Sequence, residues 1–114
     1  VKGTNAMIPL ITDNLDQIAE LCREYRVQSL AVFGSAATAT ANEDANDVDL
    51  ICDLGEYEAR VYRRFFDFAD AMEGLLGKKV DLMTEEQIQN PYFRYSVNQS
   101  RTTIYEARDR HAAA

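Results

Sequence analysis

The sequence predicts an α/β domain: a small mixed β-sheet with helices packed against it. Two observations carry this. Short apolar runs closed by glycine or alternating with polar residues recur near residues 29–34, 47–54 and 79–83. Segments with apolar residues at helical spacing lie before, between and after them. At 114 residues the chain is long enough for one domain, placed at 7–108. Residues 1–6 and 109–114 show no periodicity and read as flexible or appended ends.

The first helix is expected over 13–25, capped by Thr12 or Asp13, with Leu15, Ile18, Ala19, Cys22 and Tyr25 on one face. Ser29 to Gly34 is a buried strand closed by glycine. Small residues fill Ser35 to Ala41, and Asn42 to Asn46 is a polar loop. Asp47 to Leu54 then alternates, with Val48, Leu50 and Cys52 on one face and Asp47, Asp49, Ile51 and Asp53 on the other. A long helix follows over 57–76, its stripe formed by Val61, Phe65, Phe68, Met72, Leu75 and Leu76. Gly77 is its natural C-terminal stop. Lys79 to Met83 is a strand, Thr84 and Gln87 form a capping box, and Asn90-Pro91 opens another helix. Thr102 to Tyr105 is β-branched and aromatic, and reads as a last short strand.

Composition excludes several classes of function. Lys plus Arg total 12 against 19 for Asp plus Glu, a net charge of −7. A protein that tracks nucleic-acid phosphates needs a basic stripe, so no direct DNA binding is expected. No apolar run approaches the ~18 residues of a membrane span, so no membrane partner is expected either. Cys22 and Cys52 cannot build a disulfide framework or a zinc site alone, and read as buried free thiols of a cytoplasmic protein. His111, the single histidine, lies in the terminal tail and is assigned no chemistry.

Acid appears where a core strand would not place it. Asp47 and Asp49 are two apart on a strand, so they share a face with about 6.6 Å of rise between them. Asp81 interrupts a third apolar strand, opposite Val80 and Leu82. Carboxylates converging on one side of a sheet repel one another unless a cation neutralises them. Hard divalent ions such as Mg2+ take such oxygen ligands and share them with substrate phosphates. A solvent-facing edge strand would explain Asp-x-Asp equally well on its own. A calcium loop fits worse: counted from Asp44, the sixth position is Asp49 rather than glycine. Gly34-Ser35 adds a second signal, because a glycine closing a strand before a small hydroxyl residue presents backbone N–H groups to phosphate.

Taken together, Phe33-Gly34-Ser35, Asp47-x-Asp49-Leu50 and Val80-Asp81-Leu82 resemble the nucleotidyltransferase signature of the polymerase beta superfamily, in particular its minimal nucleotidyltransferases. The likeness runs from Met7-Ile8-Pro9-Leu10 through Asn90-Pro91-Tyr92-Phe93-Arg94 to Ile104-Tyr105-Glu106. It implies the nucleotidyltransferase fold, with Asp47, Asp49 and Asp81 as catalytic carboxylates holding a two-metal Mg2+ site. Gly34 and Ser35 would bind the nucleotide, with ATP as donor substrate. Asp81 would also accept the proton of an attacking hydroxyl. Members of this family transfer a nucleoside monophosphate to a hydroxyl and release pyrophosphate, and several minimal ones act on, or bind, HEPN-type toxins as antitoxins. The resemblance therefore implies AMP transfer to a protein partner of HEPN type. The alternative is an antitoxin of the same fold that neutralises its partner by binding alone. The sequence departs from the family where Arg-Gly commonly follows Gly-Ser-Ala-Ala, since Thr38 and Ala39 stand there.

Overall fold

The computed structural model describes residues 9–34, 47–55 and 58–107. Ser35, Thr38, Ala39, the polar loop at 42–46 and both expected chain ends lie outside the described residues.

The helix expected over 13–25 is present, slightly shorter, and a further short helix that was not expected precedes it. Proline suits a first helical position, and α1 starts at once, spanning Pro9–Thr12. The chain turns at Asp13 and Asn14, and α2 spans Leu15–Glu24. Asn14 ends one helix and precedes the next, its Nδ2 donating to the Leu10 carbonyl at 2.8 Å. The cap thus lies at Asn14 rather than at Thr12 or Asp13. Ile11, Ile18 and Cys22 are fully buried, whereas Leu15, expected on that face, is 36% exposed. Arg26, at φ 58°, turns the chain into the sheet.

Four strands form one sheet: β1 (Ser29–Phe33), β2 (Val48–Asp53), β3 (Val80–Thr84) and β4 (Thr102–Glu106). Their spatial order is β3-β2-β1-β4. β1 is antiparallel to both β2 and β4. β2 and β3 are parallel, as the helical crossover between them requires, so the sheet is mixed. That crossover is α3, Val61–Leu76. It begins four residues later than expected, after a turn in which Glu58 Oε1 accepts the Arg60 N–H at 2.8 Å. Gly77 ends it as expected, at φ 69°, its N–H donating to the Glu73 carbonyl. The Thr84 N–H donates to Gln87 Oε1 at 2.9 Å, closing the expected box around a single 3-10 turn, Glu85–Gln87. α4 spans Pro91–Ser100, capped by Asn90, whose Oδ1 accepts from the N–H groups of Tyr92 and Phe93.

The strand alternation divides the core in two. Leu30, Val32, Val48, Leu50, Cys52 and Val80 pack against α2 and α3, around Phe68 and Met72. On the opposite face Ala31, Phe33 and Ile51 pack with Ile88 and Val97, beneath α4. Both thiols are free and buried, which pushes each up to about 12 and keeps them protonated. Among the described residues no helix is long and apolar enough to cross a membrane.

Two ionic clamps hold these layers. Arg64, its side chain only 9% exposed, donates to the carbonyls of Tyr25, Arg26 and Leu54 and pairs with Glu58 at 2.8 Å. It pins the start of α3 to the α2–β1 connection and the end of β2. Glu85 accepts from Arg101 at 2.8 Å and from Arg94 at 3.2 Å, tying both ends of α4 to the turn after β3. Arg101 and then Arg94 hold the Glu85 carboxyl below the usual carboxylate range against partial burial. Its stabilisation is present above the unfolded pKa and is lost as pH falls through the lowered folded value.

Candidate functional site

Asp49 and Asp81 lie at one end of the sheet, on the face that α4 covers, and Asp47 lies just before β2. Asp49 is the second residue of β2, and the period of two puts it on the same side as Ile51, away from the core under α3. Asp81 is paired with it directly, since the parallel register sets Asp49 beside Asp81 and Val48 beside Val80. Asp47 immediately precedes β2, outside the strand where the alternation had placed it, and is exposed. The Val48 N–H donates to the Lys79 carbonyl at 2.9 Å and fixes where β2 and β3 begin together.

Asp49 is half-buried while Asp81 is exposed. Burial raises the Asp49 pKa, and the charges of Asp81 and then Asp47 raise it further. Each cause opposes a second negative charge at this end of the sheet. Among the described residues no three His, Cys, Asp or Glu side chains are already gathered tightly enough to hold an ion. The arrangement is one of hard carboxylate oxygen donors at one end of the sheet, whose charges act on one another. That donor set suits Mg2+, which keeps several waters and needs only a few carboxylates.

Gly34 forms the neighbouring wall. It follows Phe33, which lies opposite Asp49 in the antiparallel register. Its φ of +72° is left-handed, and a Cβ built on it would lie 2.7 Å from Asp49 Oδ2. The backbone turn therefore favours glycine, and a Cβ there would also make the Asp49 carboxylate rotate away. Gly34→Ala is expected to cost about 1–3 kcal/mol, as left-handed strain in a non-glycine residue does. Urea denaturation measures this, and a cost below about 0.5 kcal/mol would mean the turn relaxes freely.

Of the two residues expected to cradle phosphate, the Gly34 N–H already donates to Ser100 Oγ at 2.9 Å. Ser35 lies outside the described residues. Sequence reasoning missed Ser100 altogether. Its partner is 66 residues away, and a serine in the last turn of a helix carries no motif.

Comparison with known proteins bears on the family and the fold. The nucleotidyltransferase domain model matches residues 15–104. A Methanocaldococcus jannaschii protein classed as a protein adenylyltransferase is 37% identical over 90 residues, covering 78% of this chain and 89% of the relative. A solved structure described as a minimal nucleotidyltransferase superposes with a TM-score of 0.64 at 29% identity, over 81% of this chain and 90% of the other. The complex of a tri-AMPylated Shewanella oneidensis HEPN toxin with its MNT antitoxin shares the fold, with a TM-score of 0.58 at 15% identity, over 90% of this chain and 77% of that one. With the family model spanning most of the chain and the 37%-identical relative covering 78% of it, the chain belongs to the nucleotidyltransferase-domain family.

Proposed function

We propose that the chain is a Mg2+-dependent adenylyltransferase that moves AMP from ATP to a hydroxyl of a protein partner of the HEPN toxin type. One observation carries the reading: Asp49 and Asp81 lie side by side in register, with Asp47 adding its charge and Gly34 closed against Asp49. The family supplies the reaction class. The adenylyltransferase relative and the AMPylated toxin in complex with an MNT antitoxin supply the protein acceptor by analogy. The net charge of −7 also favours a protein acceptor over a polynucleotide.

Asp47, Asp49 and Asp81 would hold the divalent ions, which supply Lewis-acid stabilisation of the phosphate charge when bound. In the reaction, the acceptor oxygen forms a bond to the α-phosphorus as the bond to the bridging oxygen breaks. Pyrophosphate leaves with that electron pair, and the hydroxyl proton passes to the Asp81 carboxylate. The exposure of Asp81 leaves room for an acceptor side chain to approach it. Ser35 is proposed to bind triphosphate oxygens, and Gly34 to shape the turn that places it.

A second reading is favoured by Thr38 and Ala39, which stand where the family commonly has Arg-Gly. In it, the chain neutralises its partner by binding, with little transfer. ATP labelled at the α-phosphate, mixed with the chain, a HEPN-type partner and Mg2+, separates the two. Transfer predicts label on the partner that EDTA abolishes. A stable complex that acquires no label would establish the binding reading instead.

A further inference from the structure

We infer that Ser100 is a positioning residue for this site: by accepting the Gly34 N–H, its hydroxyl fixes the left-handed turn against which the Asp49 carboxylate is seated. The inference rests on the nucleotide-binding reading above and names a residue that reading does not use.

A glycine at positive φ has many alternative conformations, so the turn needs something beyond its own backbone to hold it. The Ser100 Oγ acceptor, 2.9 Å from the Gly34 nitrogen in a half-buried setting, supplies this. The hydroxyl is itself presented by a fixed element. Ser100 shares a helix face with Val97, which is 1% exposed, and with Phe93, whose ring meets the Phe33 ring edge-on at 6.2 Å. The next residue, Arg101, is anchored on Glu85 at 2.8 Å and returns its N–H to the Val97 carbonyl. Thr102 Oγ1 donates to the Ser100 carbonyl. The last turn of α4 is therefore held from both sides, and its hydroxyl reaches across to the end of β1. Displacing Gly34 moves backbone on which a Cβ would lie only 2.7 Å from Asp49 Oδ2. Ser100 thus acts on the site through Gly34 and needs no contact with nucleotide.

The test uses the full chain, a non-hydrolysable ATP analogue with Mg2+, calorimetric titration, and amide hydrogen exchange at Gly34 followed by NMR. Ser100→Ala is expected to stay folded, to accelerate exchange at the Gly34 amide, and to weaken analogue binding about threefold to tenfold. Ser100→Thr keeps a hydroxyl at this position and is expected to restore parental affinity. The inference is overturned if Ser100→Ala binds the analogue as tightly as the parent while its Gly34 amide exchanges faster. It is equally overturned if exchange at Gly34 is unchanged without the hydroxyl, or if Ser100→Thr binds as poorly as Ser100→Ala. A parent chain that binds no analogue overturns the nucleotide reading itself, and is recognised before any variant is compared.

Discussion

Phe68→Ala is expected to lower the unfolding free energy by about 3–5 kcal/mol. The ring is fully buried at the centre of the larger core, with Val61, Met72 and Leu76 on the same face of α3 and Tyr25 of the α2 turn at 6.0 Å. No polar rearrangement can fill the space left by a ring between a helix and a sheet, so the cavity term adds to the transfer term. Against the 5–15 kcal/mol of a typical domain, this is a large fraction. Phe65→Ala should cost clearly less, although both phenylalanines belong to the stripe read from the sequence. Phe65 is only half-buried, and its ring lies edge-on to Phe66, which is 62% exposed. Denaturant unfolding of both variants checks the contrast. A Phe68→Ala protein within about 1 kcal/mol of the parent would show that α3 does not pack as described.

What the sequence made legible follows from the reach of each signal. The stripe of α3 and the stop at Gly77 depend on spacing and a single backbone conformation, and both stand in the structure. The face shared by Asp49, Ile51 and Asp53 depends on strand alternation, and it also stands. The pairing of Asp49 with Asp81 is different, because it depends on β3 lying parallel beside β2 in one register. Alternation could place Asp81 on a face but could not choose the neighbour. The short helix before Asn14 was not legible for a similar reason, since four residues are too few for apolar spacing to register. Arg64, Glu85 and Ser100 were invisible for a stronger reason. Each meets partners set by tertiary packing, and long polar side chains are ordinarily read as surface. Ser100 ties the end of α4 to β1 beside the carboxylates, Glu85 ties α4 to the turn after β3, and Arg64 holds α3.

Asp49→Asn is expected to have opposite effects on stability and on function. In the metal-free protein the folded state raises the Asp49 pKa, through burial first and then the charges of Asp81 and Asp47. The sign follows from proton linkage. The folded chain holds this proton more tightly than the unfolded one, so stability falls as pH rises from the unfolded pKa through the raised folded value. Above that range the ionised carboxylate is a standing cost. Asparagine has the same shape and no charge, so in EDTA at neutral pH the variant should melt higher than the parent. It should also lose the parent's decline in stability over that pH range. Function should move the other way, because a neutral amide is a poor ligand for a hard divalent ion. If the ions supply several kcal/mol of transition-state stabilisation, even about 3 kcal/mol lost means AMP transfer slowed by about a hundredfold. The melting shift that Mg2+ and ATP give the parent should shrink or vanish in the variant. Melts with and without Mg2+-ATP, taken beside the labelling assay, read both effects on one sample. A variant that gains the same ligand-dependent shift as the parent, or that transfers AMP at the parental rate, would remove Asp49 from the site. The charge repulsion at this end of the sheet would then have no functional counterpart, and the role of Gly34 would reduce to turning the chain.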